Sequence, residues 1–389
     1  MQNTDWSLSA IVAGFVAVLV GFASSVAIVF QAAAAAGASA EITASWVGVL
    51  GFAMGISCIG FSWYYKAPIL TAWSTPGAAL LATSLQGISL SEAVGVFMFS
   101  AVLTTALGLS GWFDKLTRSI PLPIAAAMLA GIMLKFGLDI FTSVQSSPAL
   151  VLLMIGIFLL AKRWWPRYAV PLVLLAGVLF CITRQQLDFS RVELSLVQLV
   201  WVAPAWSWAA MLGVGVPLFV VTMTSQNIPG LAVLRSSGYQ TPVSPLLSWT
   251  GFITLVSAPF GNFSINLAAI TAAICSGPEA HPDPAKRYTA GIAAGVFYLL
   301  TGLAGATVVA LFAAFPKELI ATVAGLALLG TIAANLATAI VDTKHRDAAL
   351  LTLLITASGV SFFGIASAFW GLLAGLLTTG WFGWRRSQT

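Results

Sequence analysis

Charge is what this sequence has least of. Only 7% of its 389 residues are Asp, Glu, Lys or Arg, against about 25% in an ordinary soluble domain. No water-facing surface can be built from so few, because Leu, Val and Ala would cover most of it. There are two histidines, and the three cysteines, Cys58, Cys181 and Cys275, lie far apart in apolar context. That scarcity argues against a disulfide frame and against a Cys/His metal cluster. No Lys/Arg run is interleaved with aromatics, so a net charge of +5 does not point to nucleic acid. No nucleophile–base pair is apparent, so an enzyme is poorly supported and no cofactor is expected. Met1–Trp6 carries no basic stretch of the kind that opens a cleavable leader, so the first span is expected to stay in the mature protein.

What remains is apolar, 59% of the chain, with a mean hydropathy of +0.97. Lipid is therefore the solvent for most of it. Apolar runs long enough for helices fall at 8–33, 43–62, 74–86, 91–112, 120–141, 147–163 and 168–184. After a polar, amphipathic stretch at 185–207 they resume at 208–233, 243–257, 267–278, 285–313, 317–341, 346–362 and 364–384. The reading is an all-α polytopic membrane protein of fourteen transmembrane segments. With the N-terminus inside, thirteen of the 17 Lys and Arg fall in inner loops or the tail (Lys66, Lys115, Arg118, Lys162, Arg163, Arg167, Arg235, Lys286, Arg287, Lys344, Arg346, Arg385, Arg386). Only Arg184, Arg191 and Lys317 fall outside, and Lys135 lies within a span. Such a bias places both termini in the cytoplasm.

Three features recur about 200 residues apart. Ser25 precedes Gly37 by the same interval as Gln226 precedes Gly238. Polar extended strips ahead of short small-residue helices occur at 70–79 and 263–271. Pro121 with Leu129-Ala130-Gly131-Ile132 matches Pro316 with Val323-Ala324-Gly325-Leu326. Seven spans per half is an odd number, so the halves cross in opposite senses, as seven-plus-seven inverted repeats. Spans 3 and 10 are too short to cross as helices. The strips at 67–73 and 259–266 are expected to form short β-strands that pair where the halves meet. Half-helix 3 should start near Ser74 and half-helix 10 near Leu267, with Asn266 as its cap.

Two helix N-termini converging at mid-membrane make an anion site without Arg or Lys. The candidate substrate-binding residues are Ser24, Ser25 and Gln31 on span 1, and Trp73, Ser74, Thr75 and Gly77 at half-helix 3. Span 8 adds Gln226 and Asn227, and half-helix 10 adds Ser264, Asn266 and Leu267. Gly77 is expected to let a ligand approach the backbone, and Pro229 to weaken span 8. Trp73, Phe22, Phe219 and Phe263 could line an apolar wall. Each single hydroxyl is as readily explained by a bond back to its own helix. Lys135 and Asp139, four apart, are expected to pair.

The segments Thr71-Ala72-Trp73-Ser74-Thr75-Pro76-Gly77-Ala78-Ala79-Leu80-Leu81, Ser225-Gln226-Asn227 and Ile270-Thr271-Ala272-Ala273-Ile274-Cys275, running on to Pro278-Glu279-Ala280-His281-Pro282-Asp283, resemble the benzoate–proton symporter (BenE) family. The resemblance covers nearly the whole chain. That family is similar in architecture to uracil and purine carriers and to bicarbonate and sulfate transporters. The resemblance implies a core domain (1–112, spans 1–4, with 208–313, spans 8–11) and a gate domain (113–184, spans 5–7, with 314–389, spans 12–14). The stretch 185–207 is the linker between halves. It further implies a multi-pass protein of the bacterial inner membrane, often dimeric, taking up benzoate or a similar aromatic carboxylate with a proton. The core would move past the gate in an elevator or rocking motion, with Gly131 and Gly325 as sliding contacts. Nucleobase carriers hold an acid in span 8, and residues 222–230 contain none. The proton then rides on the substrate's own carboxyl, or Glu279 or Asp139 carries it. A nucleobase or inorganic anion as substrate, and a passive anion channel, are the alternatives.

Overall fold

A computed structural model describes residues 5–113, 121–187, 195–360, 362–363 and 366–386. Fifteen helices are described: α1 (Leu8–Ala35), α2 (Ala40–Tyr65), α3 (Thr75–Ser84), α4 (Leu90–Ser110), α5 (Leu122–Ser146), α6 (Pro148–Trp164), α7 (Ala169–Thr183), α8 (Trp208–Arg235), α9 (Val243–Ser257), α10 (Ile270–Ser276), α11 (Tyr288–Leu303), α12 (Gly305–Ala313), α13 (Lys317–Val341), α14 (Arg346–Ser358) and α15 (Ser367–Arg386). Among the described residues six helices are long and apolar enough to cross a membrane, or eight if two bent pairs each count as one. The stretch 285–313, expected as one span, is such a pair: α11 and α12 meet at 63°.

Helix ends follow capping chemistry. Ser7, Ser39 and Ser89 each accept the N–H of the residue three positions on, and Ser89 with Glu92 forms a reciprocal box. The ends of α1 and α8 are built alike. Gly37 and Gly238 both have positive φ, 72° and 91°. Ala38 N–H donates to Ala33 O and Tyr239 N–H to Leu234 O, each at 3.0 Å. A residue with a Cβ is strained there, so glycine recurs at the twelve-residue interval seen in the sequence.

Within α8 the turns widen at Met211–Gly215 and Met223–Asn227, where Val216 N–H reaches Met211 O and Ile228 N–H reaches Met223 O. A proline follows each, Pro217 and Pro229. Proline cannot donate to the carbonyl four residues back, so the helix takes up the lost bond by widening. Pro229 thus loosens the turn before it, while α8 continues to Arg235.

Two short strands interrupt the helices. β1 (Thr71–Trp73) pairs antiparallel with β2 (Ile265–Leu267), with Ala72 opposite Asn266. Ser74 N–H to Ser264 O (3.3 Å) and Ala268 N–H to Leu70 O (2.9 Å) extend the pairing. A two-stranded ribbon has unpaired edges, which an apolar interior cannot tolerate. Side chains satisfy them. Thr71 N–H donates to Cys58 Sγ and Trp73 N–H to Met54 Sδ, both on α2. Ile265 N–H donates to Thr254 Oγ1 on α9, and Leu267 N–H to Asn227 Oδ1 on α8. The strands are where the sequence put them, but β2 runs on through Leu267, so α10 starts at Ile270 and not at Leu267.

Packing relies on close glycine contacts, as expected of helices that share lipid. α2 lies along α11 with Gly51 against Gly302 and Gly55 against the Gly295 carbonyl. α4 lies along α9 with Gly108 against Ser248 and Gly251 against Thr105. α5 packs on α13, where Gly325 meets Phe136 and Ile140, and on α14, where Gly131 meets Thr356. Both of these glycines therefore pack inside the α5/α13/α14 cluster and are not contacts between the two groups of spans. Residues 195–207 form an extended strap. Val197 N–H donates to Leu303 O, Val200 N–H to Ser45 Oγ, Val202 N–H to Pro259 O and Ala205 N–H to Ser91 O. The strap ties the starts of α2 and α4 to the ends of α9 and α11.

Candidate substrate cavity

A cavity of about 650 Å³ reaches the paired strands. One wall comes from Val20, Gly21 and Ser25 of α1, Ala72 and Trp73 of β1, Thr75 and Pro76 of α3, and Thr224–Gln226 with Pro229 of α8. Ala268 to Thr271 and Tyr298 complete it. The facing wall is more apolar: Leu122, Ala125, Ala126, Leu129 and Met133 of α5, Phe158 of α6, Val170 and Pro171 of α7, and Leu326–Leu328 of α13. Lys162, Gly330, Thr331, Asn335 and Thr338 also line it.

The two half-helix starts do meet at this cavity, but unequally. On α3, Ser74 is the cap and its Oγ accepts the Gly77 N–H at 3.0 Å. Pro76 has no N–H, so Thr75 is left as the free backbone donor of that first turn. On α10 the cap position is Ala269, with no side-chain hydrogen bond. The N–H groups of Ala269, Ile270 and Thr271 lie at an uncapped end that opens on the cavity. The far end of α10 is closed by a cation: Arg287 Nη1 donates to Ser276 O and Nε to His281 O, each at 2.8 Å. Positive charge at that end matches the helix dipole.

Of the residues singled out in the sequence, Ser25, Trp73, Thr75 and Gln226 line the cavity. Trp73 Nε1 donates to Ser25 Oγ at 2.8 Å, and Ser25 donates on to Gly21 O. Phe22 fixes the Trp73 ring edge-to-face at 4.7 Å between centroids. The half-buried Gln226 has no hydrogen-bond partner among the described residues, so its amide is open to a ligand. Ser74 and Ser264 sit one layer behind, where Thr222 Oγ1 meets both hydroxyls. Gln31 is half-buried on α1, away from the cavity. The side chain of Ser24 lies outside the described residues.

Several expectations are corrected. Asn266 does not cap α10. It is a strand residue, fully buried, and neither side-chain atom has a hydrogen-bond partner among the described residues. Asn227 faces inward, and its Oδ1 holds the Leu267 N–H at 3.0 Å, so neither group is free for a ligand. Gly77 makes room for Leu218 of α8, which a Cβ would meet at 2.8 Å, and not for a ligand. Phe263 packs on Trp46 and Phe97, off the cavity. Lys135 and Asp139 form no ion pair within 4.0 Å, and Lys135 is exposed. With the lysine N-terminal to the acid, both side chains lean toward the helix start, so the long lysine leans away from the acid. Glu279 is exposed, Asp139 half-buried, and neither lines the cavity.

Sequence reasoning missed Lys162 as a cavity residue, taking it only as a loop charge. It also missed Thr331, Asn335 and Thr338. Their i, i+4, i+7 spacing puts three polar residues on one face of an otherwise apolar helix, and that period was readable.

The family profile described as benzoate membrane transport protein, BenE, matches residues 4–380. The chain belongs to the BenE family. Two relatives agree over nearly their whole lengths. The inner membrane protein YdcO of Escherichia coli is 48% identical over 94% of this chain and 93% of its own. The benzoate membrane transport protein of Acinetobacter baylyi is 42% identical over 96% of this chain and 95% of its own. A BenE chain is thus a membrane transport protein and not an enzyme. The fold is shared more widely. The transmembrane domain of the cyanobacterial bicarbonate transporter BicA superposes with a TM-score of 0.58 at 15% identity, covering 96% of each chain. SLC26A9 superposes at 0.64 and 12%, covering 96% of this chain and 65% of that one.

Proposed function

We propose that this chain takes up benzoate or a similar aromatic carboxylate together with a proton, by alternating access. The observation that carries the reading is the uncapped start of α10 beside Thr75 and Gln226, at the base of a cavity whose facing wall is apolar. The acid's carbonyl oxygen there would accept the free N–H groups of Ala269–Thr271, whose dipoles all point at it. Its ring would lie against Trp73 and the Leu129–Met133 face of α5. Ser25 keeps Trp73 in place. The name of the Acinetobacter baylyi relative supports benzoate as the class.

We read the chain as fourteen spans in two inverted halves, α11 with α12 forming one span. The packing supports this: exchanging the halves turns the α2–α11 pair into α9–α4, and leaves α5–α13 unchanged. The matching glycine caps of α1 and α8 support it too, as does the way α2 and α9 each satisfy the edge of one strand. The core would be α1–α4 with α8–α12, and the gate α5–α7 with α13–α15, with the cavity between them. Lysine and arginine bias puts both termini in the cytoplasm of a bacterial cell. The cavity-lining residues of α5, α6, α7 and α13 then fall toward the inner ends of those helices, and we read this conformation as open inward. A homodimer is compatible with the family's architecture.

None of the described residues lining the cavity is Asp or Glu. The proton therefore rides on the substrate's carboxyl, which enters as the neutral acid. An anion entering alone would work against about 2.3 kcal/mol per 100 mV of inside-negative potential. Neutral entry removes that term. Uptake of radiolabelled benzoate into proteoliposomes tests the reading. An inward proton gradient is expected to drive accumulation, Gln226→Ala to weaken it about fivefold for a lost hydrogen bond between neutral groups, and Glu279→Gln with Asp139→Asn to leave it proton-driven. Equilibration that ignores the gradient would make the protein a channel or uniporter. No benzoate uptake would move the substrate to a nucleobase or inorganic anion.

A further inference from the structure

The transport reading leaves one charged group of the cavity without a role. Lys162 is the only charged side chain among the described residues that line the cavity. It sits in the last turn of α6, and no carboxylate lies within 4.0 Å of it among those residues. Lys162 is exposed, and its ammonium is 5.4 Å from the centre of the Phe158 ring and 3.6 Å from where a Cβ on Gly330 would stand. Lys162 therefore reaches from α6 across to α13. Further along α13, Thr331, Asn335 and Thr338 line the same cavity. Asn335 Nδ2 spends one hydrogen on Thr331 O at 2.8 Å and keeps the second. A helix end is served by any nearby cation, and Arg163 in the same turn does that without entering the cavity.

We propose that Lys162 and the Asn335 amide form a second, shallow carboxylate site at the cytoplasmic mouth, separate from the deep site at α3 and α10. The proposal rests on the transport reading for its ligand, the substrate's ionised carboxyl. At the deep site the donors are neutral N–H groups, and the substrate arrives protonated. At the mouth the acid has access to water and ionises, and a cation there holds the anion outside the apolar slot. A substrate held at the mouth is released from the deep site, and cytoplasmic substrate is gathered from solution. A cation lining a low-dielectric cleft focuses its field in this way, and salt screens it.

The two faces can be read apart. Benzoate transport is measured in right-side-out membrane vesicles, where the outer face meets added substrate, and in inside-out vesicles, where the inner face does. Lys162→Gln is expected to raise the half-saturating benzoate about fivefold in inside-out vesicles, the loss of one unit charge at about 4 Å in near-aqueous surroundings. It should leave the outer value unchanged and abolish the salt dependence of the inner one. Lys162→Arg should restore both, and Asn335→Leu should give a smaller inner effect. An equal rise on both faces would assign Lys162 to the deep site, and no rise, or one confined to the outer face, would also overturn the proposal. An unchanged thermal midpoint separates these effects from misfolding. Wild-type vesicles that carry no benzoate in either orientation would instead remove the transport reading, and this site with it.

Discussion

Gln226 and Asn227 are neighbours with opposite surroundings. The Gln226 amide opens on the cavity, while Asn227 is 1% exposed and anchors the last N–H of β2. The pair reads as one polar cluster in sequence, because a chain carries no record of which side of a helix faces a strand that arrives 40 residues later. Their substitutions should therefore differ in kind. Asn227→Ala leaves the buried Leu267 N–H without an acceptor, at a cost of about 1–3 kcal/mol, and should lower the thermal midpoint of the detergent-solubilised protein. Gln226→Ala removes nothing that holds the fold, and its midpoint should match wild type. A normal midpoint in Asn227→Ala would mean that another group or water takes the N–H. Asn266 is the harder case: its buried amide, without a partner among the described residues, is the kind of group that a bound water or ligand completes.

At the scale of elements, most of the fold was legible. A run of apolar residues ended by Gly, Pro or charge marks a helix in lipid, and 317–341 and 243–257 are helices over those residues. The ribbon was legible too, since 67–73 and 259–266 carry residues that cannot continue a helix. The start of α10 was not, because the strand ends where pairing with Thr71 ends, and pairing is a tertiary fact. Ties between helix ends were equally hidden. Asp5, ahead of α1, accepts the Tyr288 hydroxyl at 2.7 Å and lies 3.5 Å from Lys286 Nζ, while Ser9 donates to Ala280 O. The Tyr288 hydrogen bond, and then the charge of Lys286, hold the Asp5 carboxyl below the ordinary value of 3.8. A depressed carboxylate contributes its stabilisation above the unfolded value and loses it as pH falls through the folded one. The tie should thus hold at pH 5 and above and fail only below about 4. Hydrogen exchange at residues 8–12, corrected for intrinsic rates, should rise below that pH in wild type. In Asp5→Asn it should already be raised at pH 7. Equal protection in the two proteins at pH 7 would show that Ser9 and helix packing suffice.

At the scale of the whole molecule, the cavity is bounded by α1, α3, α8 and α10 on one side and by α5, α6, α7 and α13 on the other. Transport requires that these walls part at one end and then at the other. Thr338 lies on the cavity face of α13, three residues before the end of that helix at Val341. If the cavity opens inward, a thiol at Thr338 is in cytoplasmic water in this conformation. The background suits the experiment, because Cys58, Cys181 and Cys275 are free and buried. Thr338→Cys should react with a membrane-impermeant maleimide in inside-out vesicles and stay unlabelled in right-side-out ones. Gln145→Cys, exposed at the opposite end of α5, should show the reverse. Benzoate with a proton gradient should slow labelling of Thr338→Cys, because turnover spends time in states closed on the inside. Gln145→Cys outside the cavity should be indifferent to substrate. Labelling of Thr338→Cys from the outer face would reverse the orientation drawn from the lysines and arginines. Labelling from both faces at once would mean that the cavity is a continuous pore, and the walls do not alternate.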